Sequence, residues 1–456
     1  MTDRTFRPRL RGGLLLLAVG AALMLPAATG PGEPLVQFVP PPEFTAQQLG
    51  KFPVRSQPVA TGLDNQGDVS GDAAVSRPRY PKQPHPDEAF LIAGNRLHWL
   101  GLPKGAQQSF AEDVAPGIVA VTAERADRQG HLLGYVWRMG RSRGGHGRWL
   151  RLPEPRSRYP YSSVSAVNSA WWVAGQSPAV GNTHAARWRP ISGGYHVDRS
   201  LRPLSHISAL ASIDDQGDVA GTDDGRAYGY EHALVWLNGT GGSSPVHGLL
   251  RSRLPGKSAR AASIARSGRE VWVAGDTFRS NHSLGIRATL WTLCATQRCP
   301  SSVMWLRQTL PLLHGYRWAT AIGVNDQGWV VGEMAKMCGM CCATAMTVGP
   351  DCYRGPLRGK ASLNLGPPVL WISHRAYNLN HLISKGSGWH LQTVAGINDA
   401  DQIVGDGTYR GRQAIYLLSI PEPVCYRERG RHGSPLPVCY RSRGHRSRAC
   451  ADASSS

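Results

Sequence analysis

The 456-residue sequence has few features of an enzyme or of a membrane protein. It contains no Gly-x-Ser-x-Gly nucleophile elbow, no phosphate-binding glycine loop and no paired-histidine zinc motif. Beyond the N-terminus, no apolar run is long enough to cross a bilayer. We therefore assign no catalytic residue, expect no cofactor, and predict no membrane span in the mature chain.

Sustained helical periodicity is also missing, whereas a short motif recurs along the chain. Clear copies occupy residues 64–71, 127–134, 214–221 and 325–332, and weaker ones occupy residues 168–175, 265–275 and 398–405. Alternating apolar residues flank the copies, which predicts hairpins whose Asp or Asn begins a turn and whose Gly adopts a left-handed conformation. The predicted structural-turn glycines are Gly67, Gly71, Gly130, Gly134, Gly217, Gly221, Gly328 and Gly332.

A second pattern, Ala-x-x-Trp, follows the hairpins and is typical of a third strand, as at residues 185–188 and 233–236. The closing glycines of the copies are on average about 56 residues apart, which exceeds the roughly 40–50 residues of a four-stranded propeller blade. The pattern predicts an all-β fold, a β-propeller of about seven four-stranded repeats, with six or eight blades as alternatives. Gly71, Gly134, Gly221 and Gly332 are expected at equivalent blade positions.

The combined repeat, Asn-Asp-x-Gly-x-Val-x-Gly followed by His-Ala-x-x-Trp, resembles the HAF family of extracellular repeat proteins. The best matches are residues 321–332, residues 213–221 with 232–236, and residues 395–405, and the resemblance extends over about residues 63–419. It implies a repeat protein that is exported. It implies no catalytic residues, because the family is recognised by its repeat.

The chain divides into four predicted segments. Four arginines, an apolar run at residues 14–25 and small residues after it indicate a secretory signal at residues 1–30, with an uncleaved anchor as the alternative. An extended Pro-rich lead-in (31–60), the repeat propeller (61–420) and a basic disordered tail with a 14-residue duplication (421–456) follow. The predicted location is extracellular or periplasmic.

The formal net charge is +20, and only seven of the 51 basic residues are lysine. Such a charge attracts anionic polysaccharides or other surface polymers, although a solvated, arginine-rich surface is the plainer explanation. No motif for sequence-specific nucleic-acid binding accompanies it. Trp171 and Trp172 are candidates for stacking on a sugar, with a place in a blade core as the alternative.

Cysteine and methionine are concentrated in one predicted insertion, at residues 333–367. The disulfide candidates are Cys294, Cys299, Cys338, Cys341, Cys342 and Cys352, because oxidised pairing is common outside the cytoplasm. The alternative is a soft-metal site that would hold Cu(I) through thiolate and thioether ligands. Its ligands would be Cys338, Cys341, Cys342, Met337 and Met340.

Three functions remain open from the sequence. The first is a non-enzymatic binding scaffold for an anionic surface polymer or a protein partner. The second is a polysaccharide-acting propeller enzyme with carboxylates around its central channel. The third is a periplasmic soft-metal or redox protein that uses the Cys/Met-rich insertion.

Overall fold

The structure is a computed structural model, and the fold is described for the residues that follow. These are residues 41–53, 56–74, 87–127, 130–140, 147–154, 161–179, 182–198, 208–225, 230–237, 246–250, 257–279, 285–293, 305–336, 365–421, 424–429, 435–441 and 445–446. Over this part of the chain the structure is all β, apart from one 3₁₀ turn at Leu379–His381. No helix among these residues is long and apolar enough to span a membrane.

Strands are numbered along the chain, and seven sheets form the blades of a β-propeller. The first strand is β1 (Thr45–Leu49). Blades 1 to 3 contain β2 (Val59–Leu63), β3 (Val69–Ala74), β4 (Asp87–Ala93), β5 (Arg96–Trp99), β6 (Ala106–Ala115), β7 (Ile118–Arg125), β8 (Leu132–Arg138), β9 (Arg148–Arg151), β10 (Ser163–Val167), β11 (Val173–Ala179), β12 (Asn182–Ile191) and β13 (Gly194–Asp198). Blades 4 to 6 contain β14 (Ser208–Ile213), β15 (Val219–Gly225), β16 (Tyr230–Leu237), β17 (Val246–Leu250), β18 (Lys257–Ser267), β19 (Glu270–Arg279), β20 (Arg287–Leu293), β21 (Trp305–Thr309), β22 (Trp318–Val324), β23 (Val330–Ala335), β24 (Leu365–Ile372) and β25 (Arg375–Asn378). Blade 7 contains β26 (Trp389–Leu391), β27 (Gly396–Ile397), β28 (Ile403–Tyr409) and β29 (Arg412–Ser419). The predicted architecture is therefore confirmed, with seven blades.

The ring closes by pairing the two ends of the propeller. In blade 7, β26 and β27 together make the inner strand beside β28, and β29 follows. The fourth strand is β1, which pairs antiparallel with β29 from Thr45 opposite Ser419 to Leu49 opposite Ile415. The propeller thus begins before residue 61, and the predicted lead-in contributes a strand because Leu49 buries its side chain against blade 7.

The closing glycines are required because two strands lie very close together there, and not because they form a turn. In blades 1, 4 and 6 the first strand carries a β-bulge next to the residue that faces the glycine. A Cβ at Gly71, Gly221 or Gly332 would stand 2.2, 2.0 and 2.0 Å from a carbonyl oxygen of that strand. The turn role assigned to these three glycines is corrected accordingly. The role is confirmed for Gly67, Gly217 and Gly328, which have φ of 82°, 79° and 73°.

Blade 2 departs from the predicted pattern. Gly130 has the expected positive φ of 60°, but its turn joins β7 to β8, the second strand to the third. Gly134 therefore lies on the third strand, opposite Thr122, and the expected equivalence with Gly71 is wrong. Val121 holds the equivalent position, opposite Ala111 and beside the bulge. The error arose because apolar alternation flanks every hairpin of a blade, so the motif alone does not say which hairpin it marks.

The predicted third strands are confirmed, and their aromatic residues form the blade cores. The tryptophans at the shared position are all buried, namely Trp137, Trp188, Trp236, Trp291 and Trp371. In blades 1 and 7 the aromatic residue is instead Phe90 or Tyr416, each directly opposite the closing glycine. In these two blades a Cβ on Gly71 or Gly405 would lie 2.3 Å from the Phe90 ring or 2.5 Å from the Tyr416 hydroxyl, so the absent side chain makes room for the aromatic residue.

The C-terminal segment, predicted to be disordered, contains a three-stranded antiparallel sheet. Its strands are β30 (Val424–Arg429), β31 (Pro435–Arg441) and β32 (His445–Arg446). The first three residues of each copy of the duplication pair with each other, and Cys425 is opposite Cys439.

Candidate functional site: a tryptophan–arginine cluster on the turn face

The connections from first to second strand share one end of the propeller, called here the turn face. At Asp214 the side-chain oxygen accepts hydrogen bonds from the backbone N–H groups of Gln216 and Asp218, at 2.9 and 2.8 Å. Asp64, Asn325 and Asn398 repeat this pattern. Each turn is thereby rigid, because the side chain satisfies N–H groups that the tight loop leaves without strand partners.

Blade 3 has a tryptophan where this turn has glycine in blades 1, 4 and 6 and Asp401 in blade 7. Trp171 has a φ of 64°, in the left-handed region that costs a residue with a side chain roughly 1–2 kcal/mol. Its indole Nε1 donates to the carbonyl oxygen of Pro116 in blade 2, at 3.3 Å. Strain of this kind is retained at functional sites when surrounding contacts hold it in place.

Three arginine side chains lie over the two neighbouring tryptophan rings. The guanidinium of Arg138 is 4.2 Å from the centre of the Trp171 ring. Arg187 and Arg189 lie 4.7 and 4.4 Å from the centre of the Trp172 ring. These five residues and Asp198, which binds both Arg187 and Arg189, form the tryptophan–arginine cluster. Both tryptophans are half-buried and pack against the edges of blade cores, so each has a part in a core and a part that is open.

The cluster carries more positive than negative charge. Arg187 is buried and its guanidinium donates to Asp198 and to the carbonyl oxygen of Gly217. Burial lowers the pKa of Arg187, and the hydrogen bond with Asp198 opposes that change, so the side chain stays a cation. Arg189 is 44% exposed. Arg138 forms no ion pair within the described part of the chain, whereas Arg187 and Arg189 share Asp198 and Arg187 also feels the charge of Asp218.

The turn face is acidic around blades 6, 7 and 1. Asp326 N–H donates to Asp399 at 2.9 Å, and Asp399 N–H donates to Asn65 at 2.9 Å. Burial raises the pKa of Asp64 to about 6 and, followed by repulsion from Asp399, raises that of Asp326. Among the described residues no group of His, Cys, Asp or Glu has the arrangement of a metal site. The turn face therefore has a cationic, aromatic part and an acidic part.

A second set of polar side chains lies deeper, between adjacent blades. The residue after each closing glycine, or after Val121 in blade 2, is polar in all seven blades; these are Asp72, Thr122, Gln176, Thr222, Asp276, Glu333 and Asp406. Asp406 accepts from the N–H of Ala60 at 2.9 Å, and Asp276 accepts from Ala321 at 3.1 Å. These bonds satisfy inner-strand N–H groups beside the bulges. Sequence reasoning missed these residues, although a polar residue directly after the glycine was visible as their signal.

Two of these carboxylates approach each other at blade 7. Glu333 accepts from the N–H of Val394 at 3.3 Å, and Asp406 accepts from the hydroxyl of Thr393 at 3.1 Å. Burial, with repulsion from Asp406 as a further cause, raises the pKa of Glu333 to about 7. Both side chains are buried, so the pair is enclosed by protein.

The remaining predicted site residues lie outside the described part of the chain. They are Cys294, Cys299, Met337, Cys338, Met340, Cys341, Cys342 and Cys352, and the predicted signal at residues 1–30 is also outside it. The Cys/Met-rich insertion joins β23 to β24, a second-to-third connection, which places its two ends at the end of blade 6 opposite the turn face. The disulfide and soft-metal predictions for these residues remain predictions.

Comparison with known proteins adds no functional assignment. No protein-family model matches the chain, and no curated protein matches it. Among solved structures it is similar to a puromycin-hydrolysing peptidase of Mycobacterium tuberculosis, with 10% identity and a TM-score of 0.46 over 85% of this chain and 57% of the peptidase. It is similar to TolB of Acinetobacter baumannii, with 12% identity and a TM-score of 0.33 over 52% of each chain. It is also similar to an α-L-arabinanase of Penicillium chrysogenum, with 8% identity and a TM-score of 0.34 over 83% of this chain and 99% of the arabinanase. The chain thus spans little more than half the length of the first two proteins.

Proposed function

We propose that this protein is an exported, non-enzymatic member of the HAF repeat family that binds an anionic polysaccharide at the tryptophan–arginine cluster. The observation that carries the proposal is the arrangement of three guanidinium groups over two tryptophan rings, two of them paired with Asp198. The net charge of +20 and the N-terminal signal pattern support attraction to a polyanion outside the cytoplasm.

The chemistry of the cluster suits a sugar polymer that carries carboxylate or sulfate groups. A guanidinium donates two parallel hydrogen bonds to such an anion, and stacking on an indole fixes its plane beforehand. Arg138 and Arg189 are held in this way, so little side-chain freedom is lost when a ligand binds. The exposed part of an indole packs against the C–H face of a sugar ring, which adds selectivity for a carbohydrate.

Equilibrium binding of polygalacturonate and of neutral dextran tests this proposal. We expect the purified protein to bind polygalacturonate and not dextran, and the double variant R138A/R189A to bind at least roughly tenfold more weakly, or about 1.4 kcal/mol. Arg96→Ala is the matched control, since Arg96 is exposed at a third-to-fourth connection of blade 1. Equal loss in the control would show that only total charge matters, and no loss in the double variant would refute the site.

A protein partner with an acidic surface is the alternative occupant of the same cluster. The acidic part of the turn face, at Asp326 and Asp399, would then orient such a partner by repulsion. In that case cross-linking of whole cells captures a partner with the wild-type protein and none with the R138A/R189A variant, while polygalacturonate does not bind the wild-type protein.

Polysaccharide hydrolysis is a second candidate, favoured by the pair of Glu333 and Asp406. A carboxyl group with a pKa of about 7 is suited to donate a proton to a leaving group. In glycoside hydrolysis a neighbouring carboxylate is the usual second catalytic group. Burial of both side chains opposes it, since a substrate must reach them. Release of reducing ends from a panel of polysaccharides, abolished by Glu333→Gln with the fold intact, would establish it.

The soft-metal function rests on the Cys/Met-rich insertion alone. Copper analysis of the exported protein, together with thiol counting under non-reducing conditions, decides between this site and disulfides. Stoichiometric Cu(I) that is lost on replacing Cys341 and Cys342 would support the metal site.

A further inference from the structure

We propose that the cleft between blades 5 and 6 binds one uncharged sugar residue, at a site separate from the tryptophan–arginine cluster. The cleft has a volume of about 230 Å³ and lies between residues of β19, β20 and β21 on one side and of blade 6 on the other. Its aromatic lining residues are Trp272, which is half-buried, and Trp371, which is 1% exposed, so Trp272 is the ring that a ligand can reach.

The lining combines aromatic, aliphatic and polar side chains and lacks permanent charge. Beside the two tryptophans it presents the amides of Gln308 and Gln327 and the imidazole of His374. The lining residues, all of them in the described part of the chain, include no Asp, Glu, Lys or Arg. Aromatic surface with a few fixed polar groups is the composition of a small-molecule site, and a lining without ionic groups favours a neutral, hydroxyl-rich ligand.

The polar groups of the cleft are held in place before any ligand binds. Gln308 and the Nδ1 atom of His374 share a hydrogen bond. The amide nitrogen of Gln327 donates to both carboxylate oxygens of Asp401, at 3.0 and 3.1 Å. Fixed donors and acceptors reduce the entropy that binding costs.

The turn that carries His374 is strained. Ser373 and His374 are the two residues between β24 and β25, and their φ angles are 45° and 68°. Asn-Gly is preferred in such a turn because both positions require positive φ. A Ser-His pair in this turn is strained, and the turn places the imidazole beside the cleft. Backbone strain next to a cleft is expected where the strained residue binds a ligand.

Gly328 makes room for the indole of Trp272. A Cβ at position 328 would lie 2.9 Å from Trp272 Nε1. The turn of blade 6 and the tryptophan of blade 5 therefore meet at the cleft. The corresponding glycine of blade 1, Gly67, would place its Cβ 3.2 Å from the side chain of Gln402, with no aromatic neighbour.

Saturation-transfer NMR with the methyl glycosides of glucose, galactose, mannose and N-acetylglucosamine tests the site. At least one glycoside is expected to bind at millimolar concentration and to quench tryptophan fluorescence. His374→Gly relieves the turn strain while it removes the imidazole, so the variant stays folded and the Kd rises at least fivefold. Gly328→Ala displaces Trp272 and has the same effect, whereas Gly67→Ala, with the same backbone strain, leaves binding unchanged.

The proposal is overturned if none of the four glycosides binds, or if His374→Gly and Gly328→Ala both bind as the wild type does. Loss of binding in Gly67→Ala equal to that in Gly328→Ala would also overturn it, because backbone strain alone would then account for the effect. Polygalacturonate binding is expected to be unaltered in His374→Gly. The test of the cleft is therefore independent of the test of the tryptophan–arginine cluster.

Discussion

The side-chain amide of Asn398 in blade 7 donates a hydrogen bond to the backbone carbonyl of Asp64 in blade 1, at 2.7 Å, although 334 residues separate the two. Asn168 makes the same bond to Asp214 in the following blade, at 2.8 Å, and Asn325 makes it to Asn398, at 3.4 Å. The turn face is thus joined from blade to blade by the first residue of the repeated turn.

Whether the first residue of the turn is Asn or Asp depends on whether the next blade also carries the turn. Asn168, Asn325 and Asn398 each precede a blade that carries the turn and offers a carbonyl oxygen. Asp64 and Asp214 precede blades 2 and 5, whose first connections do not carry the Asp/Asn turn. One carboxylate oxygen of each is buried and has no hydrogen-bond partner among the residues that the structure describes. An amide both accepts from its own turn and donates to the next one, whereas a carboxylate only accepts.

Asn398→Asp is expected to weaken the closure of the ring. The variant keeps the acceptor of its own turn but loses the donor to Asp64, and it places a carboxylate beside a carbonyl oxygen. We expect the free energy of unfolding in urea to fall by about 2 kcal/mol. Asn95→Asp is the control, because exposed Asn95 only accepts from Gly50 N–H. An equal loss in both variants would contradict the inter-blade role.

Gly221→Ala is expected to destabilise blade 4 through a clash rather than a backbone conformation. The new Cβ would meet the carbonyl oxygen of Ala209 at 2.0 Å, so the bulged strand must shift, at a cost of roughly 1–3 kcal/mol. Gly194→Ala is the control, because a Cβ at Gly194 meets nothing within 4 Å. Thermal unfolding measures both variants, and unchanged melting of Gly221→Ala would remove the close-approach explanation.

Stability is expected to fall as the pH rises from about 4 to about 7. Burial is the first cause of raised pKa values in five carboxyl groups, which are Asp64 at about 6, Asp113 at about 7, Asp214 at about 7, Asp276 at about 6 and Glu333 at about 7. In that window the folded state holds protons that the unfolded state has released, so unfolding becomes easier as the pH rises.

Glu333→Gln isolates the contribution of one such group. Glutamine does not titrate, so the decrease in the free energy of unfolding between pH 5 and pH 8 should be smaller by on the order of 1–3 kcal/mol. Glu270→Gln, at an exposed position, is the control. Denaturant unfolding at each pH gives the slopes, and identical slopes for wild type and Glu333→Gln would show that Glu333 is not the titrating group.

Leu49→Ala is expected to loosen the N-terminal strand from blade 7. Leu49 is 3% exposed and packs with Ile92 and Ile415 in one core cluster. Its truncation should cost roughly 2–5 kcal/mol and should make residues 41–50 sensitive to limited proteolysis. Gln48→Ala on the exposed side of the same strand should change neither property.

The repeat predicted the architecture because turn and strand patterns depend on neighbours along the chain. Gly217 and Trp236 were identified with their correct roles from such local patterns. Strand β1 was missed because Thr45–Leu49 gains its partner only from blade 7, far away in sequence. Blade 2 was misaligned because Val121 stands where the closing glycine was expected.

The candidate site was predicted only in part. Trp171 and Trp172 were visible as an unusual pair, and stacking on a sugar was one of the two roles considered for them. Arg138 was not, since it lies in blade 2 and meets Trp171 only after the blades pack, and Arg189 was missed although it lies in blade 3, on the strand that pairs with β11. A contact between two blades cannot be recognised from the spacing of residues along the sequence.

Calorimetric titration of the Trp171→Gly variant with polygalacturonate tests the central claim most directly. The variant introduces the glycine found in the turns of blades 1, 4 and 6 and relieves the strain at a φ of 64°, while it removes the ring beneath Arg138. We predict a folded protein with a melting temperature within a few degrees of wild type and an affinity at least roughly tenfold lower. Wild-type affinity in Trp171→Gly would contradict the account, because the tryptophan–arginine cluster would then be a structural feature alone.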